Sequence, residues 1–127
     1  MKLTSSIISL VAFFSFAAGD TVVVSYNAKY DIGKTSMGTV TCSGYLGGKY
    51  PTFGSLPTKM IGGYNGPHIP CGSCWQLGYN HHITYAIAID TSTNGFELSQ
   101  SAIAALGGPK GTVQVSISQA SPSRCGL

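Results

Sequence analysis

The chain has 127 residues, of which only 9% are charged, and seven basic residues against four acidic ones give a formal net charge of +3. The basic residues are scattered, whereas a nucleic-acid-binding surface needs them in one run or on one face, so no nucleic-acid partner is expected. Beyond the N-terminal segment the sequence also lacks the roughly 20 consecutive apolar residues of a membrane helix, so no membrane anchor is expected.

Residues 1–19 are typical of a secretory signal peptide. Lys2 supplies a positive start, an apolar run follows from Ile7 to Phe16, and small residues at 17–19 provide a cleavage site. The remaining segment, residues 20–127, keeps six basic residues once Lys2 is removed, and it is long enough for one domain but too short for two. The sequence therefore predicts a secreted protein, extracellular or in the cell wall, whose mature chain begins near Asp20.

The first half of this domain predicts two strands and a long irregular region. Thr21–Tyr26 is rich in β-branched residues, and Ser36–Ser43 alternates so that Cys42 faces inward. Gly44–Pro70 is rich in glycine and proline and shows no sustained apolar period. We therefore expect loops there, with one short helical turn near residues 52–56.

A hairpin is predicted at the centre of the chain. Trp75–Tyr79 alternates as a half-buried strand, residues 80–82 provide a turn, and Ile83–Ile89 places its large residues on one face and its small residues on the other. The second strand ends at Asp90, and the polar segment Thr91–Gly95 then turns the chain.

One helix and a last strand follow. Ser99 is suited to cap a short helix, which the glycines after Leu106 end. Thr112–Gln119 alternates apolar and polar residues as a strand does. Several short strands without a βαβ order indicate a mainly β protein, and closure into a small barrel would hide the sheet edges.

The cysteines allow three connectivities if all four are paired, and the Cys71-x-x-Cys74 spacing also occurs in redox centres and zinc sites. Export favours disulfides, and a strand pattern follows Cys74 where a redox pair would have a helix. His81 and His82 are adjacent in a turn with no evident third ligand, so neither a metal nor another cofactor is expected. The four cysteines are Cys42, Cys71, Cys74 and Cys125.

Motifs spread over the whole mature region resemble those of the cerato-platanins. They comprise Cys71-Gly72-Ser73-Cys74-Trp75, Asp90 followed by Gly95-Phe96, the helix start at Ser99, the ending Ser123-Arg124-Cys125-Gly126-Leu127, Val24-Ser25-Tyr26 with Tyr30-Asp31, and Thr52-Phe53-Gly54-Ser55-Leu56-Pro57 with Ile61-Gly62-Gly63.

The resemblance implies a fungal secreted protein with a six-stranded double-psi β-barrel, one or two short helices and the disulfides Cys42–Cys71 and Cys74–Cys125. It also implies binding of chitin or N-acetylglucosamine oligomers, loosening of polysaccharide without hydrolysis, and elicitor activity, with a plant receptor as a further partner. Two features depart from the family pattern, since the segment Tyr64–Pro70 is longer and Glu97 stands where many members carry Asn.

Asp90, Asn94 and Glu97 are the candidate carbohydrate-binding residues. An alternative role for Asp90 is structural, because a carboxylate at a strand end can accept backbone N–H groups and close its turn. Tyrosine rings have an apolar face for a sugar and a hydroxyl that can hydrogen-bond. The candidate ring platforms are Tyr26, Tyr30 and Tyr50.

Two other function classes remain as alternatives. A glycosidase needs two carboxyl groups about 5 to 9.5 Å apart, and only Asp90 with Glu97 or Asp31 offers such a pair. With so few carboxylates we expect no enzyme, and a weak glycan-cleaving enzyme is the alternative. The other alternative is a surface-active or interaction protein that a host partner recognises, without a sugar site.

Overall fold

Six short strands close into a barrel in the computed structural model, which describes residues 20–66 and 70–127. The predicted signal peptide lies outside the described residues. Around the barrel the order is β1-β5-β2-β4-β3-β6, with β6 returning to β1. The strands are β1 (Thr21–Tyr26), β2 (Ile61–Tyr64), β3 (Cys74–Tyr79), β4 (His82–Thr91), β5 (Phe96–Leu98) and β6 (Val113–Ala120).

Two parallel strand pairs, β1 with β5 and β2 with β4, interlock in an otherwise antiparallel barrel. This is the predicted double-psi β-barrel, and the mainly β fold class is confirmed. Two short helices accompany it, α1 (Ser43–Leu46) and α2 (Gln100–Ala105). Ser99 caps α2 as predicted, because its side chain accepts a hydrogen bond from the amide of Ala102.

Alternation along the strands produces two apolar layers. Inward-facing side chains such as Leu77, Phe96 and Leu98 fill the barrel, and α2 packs against the same cluster. The small residues Ala86 and Ala88 of β4 also face this interior, while Ile87 and Ile89 face outward.

The long segment between β1 and β2 covers the outward-facing isoleucines. It contributes the buried side chains Tyr30, Met37, Leu46, Phe53 and Leu56 to the outer cluster. Burying one such side chain stabilises a fold by about 1.5–3 kcal/mol, so these five anchors hold an irregular segment in place. The helical turn expected near residues 52–56 is present as a 3-10 turn at Phe53–Ser55.

Both disulfides have the pairing that the resemblance implies. Cys42 is joined to Cys71 across a sequence separation of 29, and Cys74 to Cys125 across 51. The first bond connects the irregular segment to the start of β3. The second fixes the last 3-10 turn, Pro122–Cys125, against the same strand.

The prediction of a strand at Ser36–Ser43 is wrong. The segment forms a 3-10 turn at Met37–Thr39 and leads into α1, and only Ser36 makes a bridge, to Thr52. Side-chain hydrogen bonds explain the difference, because Ser36 Oγ accepts from the amide of Gly38 and Thr39 donates to the carbonyl of Ser36. Such local bonds offer the backbone an alternative to a strand ladder.

Candidate functional site

A β-bulge brings two carboxylates to the same outer surface. Gly62 pairs with Ala88, but Gly63 pairs with Asp90, so Ile89 is an extra residue in β4 and Asp90 turns outward beside Gly63. On its other side Gly63 pairs with Glu97 of β5. Glu97, Gly63 and Asp90 therefore lie side by side on three adjacent strands. We call them the carboxylate row, and two strand spacings place about 9.5 Å between the backbones of its ends.

Gly63 is required at the middle of the row. A Cβ atom at this position would clash with the hydroxyl of Tyr30 and would come within 3.1 Å of the carbonyl oxygen of Thr91. The missing side chain makes room for the Tyr30 hydroxyl, which crosses over Gly63 to reach Asp90 at 3.0 Å.

Asp90 is only 5% exposed, and donors of the chain itself occupy its carboxylate. Oδ2 accepts from Lys29 Nζ at 2.9 Å and from the Tyr30 hydroxyl, and Oδ1 accepts from the amide and hydroxyl of Thr41 and from the amide of Thr91. Burial by itself would raise the pKa of Asp90, but the hydrogen bonds from Lys29, Thr41 and Tyr30 together lower it below its ordinary value. Asp90 therefore has the geometry expected for a structural carboxylate, which accepts backbone N–H groups at the end of its strand.

Glu97 lies at the other end of the row and is more accessible. Its Oε1 atom accepts a hydrogen bond of 2.7 Å from Asn27 Nδ2. Asn27 also caps the 3-10 turn Ala28–Asp31 through Oδ1, which accepts from the amide of Lys29. Sequence analysis missed Asn27, although an Asn directly before a helical turn is a common capping signal.

Tyr26 and Asp31 form a second pair of polar side chains, near the start of α2. The Tyr26 hydroxyl donates to Asp31 Oδ2, and this hydrogen bond raises the pKa of Tyr26. Asp31 Oδ1 accepts from the amide of Gln100 at the start of α2. Both oxygens of Asp31 are thereby fixed, while the Tyr26 side chain, at the strand position that pairs with Leu98, remains 47% exposed.

The other candidate residues lie in different surroundings. Tyr30 is 3% exposed and its ring stacks on Phe53 at 6.2 Å, so it does not present an open platform. Burial raises the pKa of its hydroxyl, and the charges of Asp90 and Glu97 raise it further. Tyr50 packs against the outer cluster and lines a separate cleft. Asn94 is exposed in the turn between β4 and β5.

A shallow pocket of about 180 Å³ adjoins the row on the side of α2. Tyr30 belongs to its lining and connects it to the row through Asp90, and Asp31, Lys59 and Ser101 add polar groups. The row is thus connected to this pocket through Tyr30, and the exposed Tyr26 ring is connected to the pocket through Asp31.

The environment of Asp90 differs from that of a glycosidase general acid. A general acid of a glycosidase needs a raised pKa, whereas the pKa of Asp90 is lowered. Across residues 20–66 and 70–127, no group of three or more His, Cys, Asp or Glu side chains could hold a metal ion. No helix in that same part of the chain is long and apolar enough to cross a membrane.

Comparison with known proteins places this geometry in a family. The cerato-platanin family model matches residues 22–127. Allergen Asp f 15 of Aspergillus fumigatus is 38% identical over an alignment of 118 residues that covers 82% of this chain and 76% of that protein.

Solved structures give the same result. The crystal structure of cerato-platanin 1 from M. perniciosa is 40% identical and superposes with a TM-score of 0.74 over 82% of this chain and 98% of that one. The solution structure of the fungal elicitor cerato-platanin is 31% identical, with a TM-score of 0.70 over 82% of this chain and 96% of that one. The chain therefore belongs to the cerato-platanin family.

Proposed function

We propose that the surface around the carboxylate row binds N-acetylglucosamine oligomers such as those of chitin, and does so without cleaving them. The observation that supports this most directly is the exposed Tyr26 ring, whose hydroxyl bonds to the fixed carboxylate of Asp31. A sugar ring has an apolar face that packs on an aromatic ring and an equatorial rim of hydroxyl and amide groups that hydrogen-bond. Charge-assisted hydrogen bonds are the stronger kind, which suits a carboxylate such as Glu97.

In this proposal the candidate residues have different roles. Tyr26, Glu97 and Asn94 contact the ligand, because their side chains face solvent. Asp90 and Tyr30 act as positioning residues, since their polar atoms bond to each other and to neighbouring elements. Asp90 fixes the turn that carries Lys29 and Tyr30, and through it the surface next to Glu97.

Two further properties follow from the similarity to the family. We propose that the protein is secreted, and that it loosens polysaccharide by competing with neighbouring strands for hydrogen bonds while breaking no covalent bond. We also propose that plants recognise it as an elicitor, because its relatives include a protein described as a fungal elicitor. Infiltration of the purified protein into leaves, with buffer as control, tests the elicitor proposal through defence-gene induction.

Titration of the ¹⁵N-labelled protein, residues 20–127, with an N-acetylglucosamine tetramer tests the binding surface. We expect saturable shifts at the amides of Asn27, Gly63 and residues 94–97, and a Glu97→Gln variant should bind about ten-fold more weakly, as expected when a hydrogen bond to a charged group is lost. Asp20→Asn is the matched control, because it makes the same charge change at an exposed residue before β1.

Saturable shifts elsewhere with none at the row, or equal binding by the parent and Glu97→Gln proteins, would contradict the proposed surface. Incubation with chitin followed by a reducing-end assay tests the absence of cleavage. We expect no release of new ends above a protein-free control. Sustained release that Glu97→Gln abolishes would identify an enzyme.

A further inference from the structure

A second aromatic cleft lies away from the carboxylate row and shares no residue with it. It has a volume of about 230 Å³ and lies between the end of α1, the turn at Gly72 and the last 3-10 turn, Pro122–Cys125. Its lining consists of Tyr45, Leu46, Lys49, Tyr50, Gly72, Pro122 and Leu127. We call it the tyrosine cleft.

Tyr45 is exposed to an extent that core packing does not explain. It is 72% exposed, more than any other large hydrophobic side chain among the described residues. One edge of its ring rests on Gly72, where a Cβ atom would lie 2.7 Å from Tyr45 Cε2. Gly72 also has a φ of +77°, a conformation that side-chain-bearing residues rarely adopt. The backbone of Gly72 therefore forms a floor that lets the ring lie close to the protein while one face stays open.

A second ring and one cation complete the cleft. Tyr50 is partly buried against the outer cluster, and Lys49 Nζ lies 5.5 Å from the centre of its ring. Lys49 is the single charged side chain in the lining. The cleft therefore combines aromatic surface with hydrogen-bond donors.

The walls of the cleft are held by covalent bonds. Cys42 directly precedes α1 and is bonded to Cys71, the residue before Gly72. Cys125 closes the last 3-10 turn and is bonded to Cys74. Each wall is thus tied to the start of β3. A site whose walls are already fixed loses little conformational entropy when a ligand binds. A larger part of the free energy of weak stacking contacts then contributes to the affinity.

We propose that the tyrosine cleft binds one pyranose unit of a neutral glycan, as a second carbohydrate site. A pyranose offers an apolar face to a tyrosine ring and hydroxyl groups to the Lys49 ammonium group and the tyrosine hydroxyls. The volume is below the roughly 300–1,000 Å³ of pockets that enclose a whole drug-sized ligand, so the cleft holds one ring of a longer molecule.

A proline-rich peptide is the main competitor, since aromatic grooves also bind polyproline II segments. Such a segment advances about 3.1 Å per residue and engages several residues along its length, so it needs a longer groove. The compact shape of the cleft favours a single ring. The proposal does not depend on binding at the carboxylate row, because the two surfaces have no residue in common.

Titration of the ¹⁵N-labelled protein with cellotetraose and with an N-acetylglucosamine tetramer tests the proposal at the amides of Lys49 and Gly72. We expect saturable shifts with at least one glycan, and a Tyr45→Ala variant should bind there roughly ten-fold more weakly. Glu97→Gln should leave these shifts unchanged. Ile83→Ala is the matched control, since Ile83 is another exposed apolar side chain.

Tyr45 contributes little to the core, so Tyr45→Ala should fold, and far-ultraviolet circular dichroism checks this. Absence of saturable shifts at Lys49 and Gly72 with both glycans would overturn the proposal. Shifts there with a proline-rich peptide but with neither glycan would also overturn it and assign the cleft to a peptide partner. Saturable shifts at Lys49 and Gly72 without shifts at the carboxylate row would refute the function proposed for the row and support this second site.

Discussion

Replacing Asp90 with Ala gives the sharpest test of how the site is built. The change removes an acceptor that bonds to Lys29, Tyr30, Thr41 and Thr91, and so releases contacts between β4, the 3-10 turn after β1 and the segment before α1. Since the carboxylate is 5% exposed, water cannot replace it without rearrangement. The expected consequence is a large loss of stability, even though Asp90 lies outside the apolar core.

The magnitude follows from the donors that lose their acceptor. An unsatisfied buried donor costs about 1–3 kcal/mol, and this applies to the Tyr30 hydroxyl; the bonds from Thr41 are partly buried and add less. Lys29 contributes less, because its side chain is 48% exposed and water can solvate the ammonium group. We expect the free energy of unfolding to fall by about 3 kcal/mol in Asp90→Ala. The melting temperature should then fall by roughly 12 °C or more.

Urea unfolding followed through Trp75 fluorescence, with both disulfides intact, measures the change. Glu97→Ala is the control, since Glu97 accepts one side-chain hydrogen bond from Asn27 and is partly exposed. The free energy of unfolding of Glu97→Ala should fall by no more than about 1 kcal/mol. Equal destabilisation of both variants, or a loss below about 1 kcal/mol in Asp90→Ala, would refute the view that Asp90 holds these elements together.

Two other predictions concern the same region. Gly63→Ala should displace the Tyr30 hydroxyl and lower the free energy of unfolding by about 1–3 kcal/mol. Gly48→Ala is the control and should change this free energy little, because an added Cβ there meets nothing within 4 Å. Equal urea midpoints for the two variants would contradict the prediction. Because the pKa of Asp90 is lowered in the folded state, its contribution is present above the ordinary value of 3.8 and is lost as the pH falls through the lowered value. Urea titrations between roughly pH 6 and pH 2 should therefore show that the free energy of unfolding falls more steeply with acid in the parent protein than in Asp90→Asn. Identical dependence on pH in the two proteins would count against this prediction.

The sequence predicts those elements whose pattern is local. β1, β3, β4 and β6 show β-branched residues or a two-residue period, and α2 has a capping serine and a glycine stop. β2 and β5 are different, because they are short and do not show a sustained period. β2 contains Gly62 and Gly63, although glycine is in general depleted in strands. Glycine is needed here, because a side chain at position 62 would clash with the backbone of Glu97.

The site could be predicted in part only, because it depends on non-local pairing. The position of Asp90 at a strand end is visible in the sequence, but its outward direction depends on the bulge at Ile89. Its nearness to Glu97 depends on two pairings of β2, a strand that the sequence does not reveal. The burial of Tyr30 likewise depends on the stacking with Phe53, which is 23 positions away in the chain. Tyrosine composition alone cannot separate a buried ring from an open one.

The environments of the two row carboxylates differ from those that cleavage of a glycosidic bond requires. Cleavage of a glycosidic bond requires one carboxyl group that holds a proton near neutral pH and a second that is free to act as base or nucleophile. Asp90 fails both requirements, since its hydrogen bonds lower its pKa and occupy both of its oxygens. Glu97 is then a single carboxylate fixed by Asn27. One fixed carboxylate can orient sugar hydroxyls, and both oxygens of Asp31, the other candidate for a pair, already accept hydrogen bonds from Tyr26 and Gln100. The contacts that make the surface rigid are thus the same contacts that remove Asp90 from catalysis.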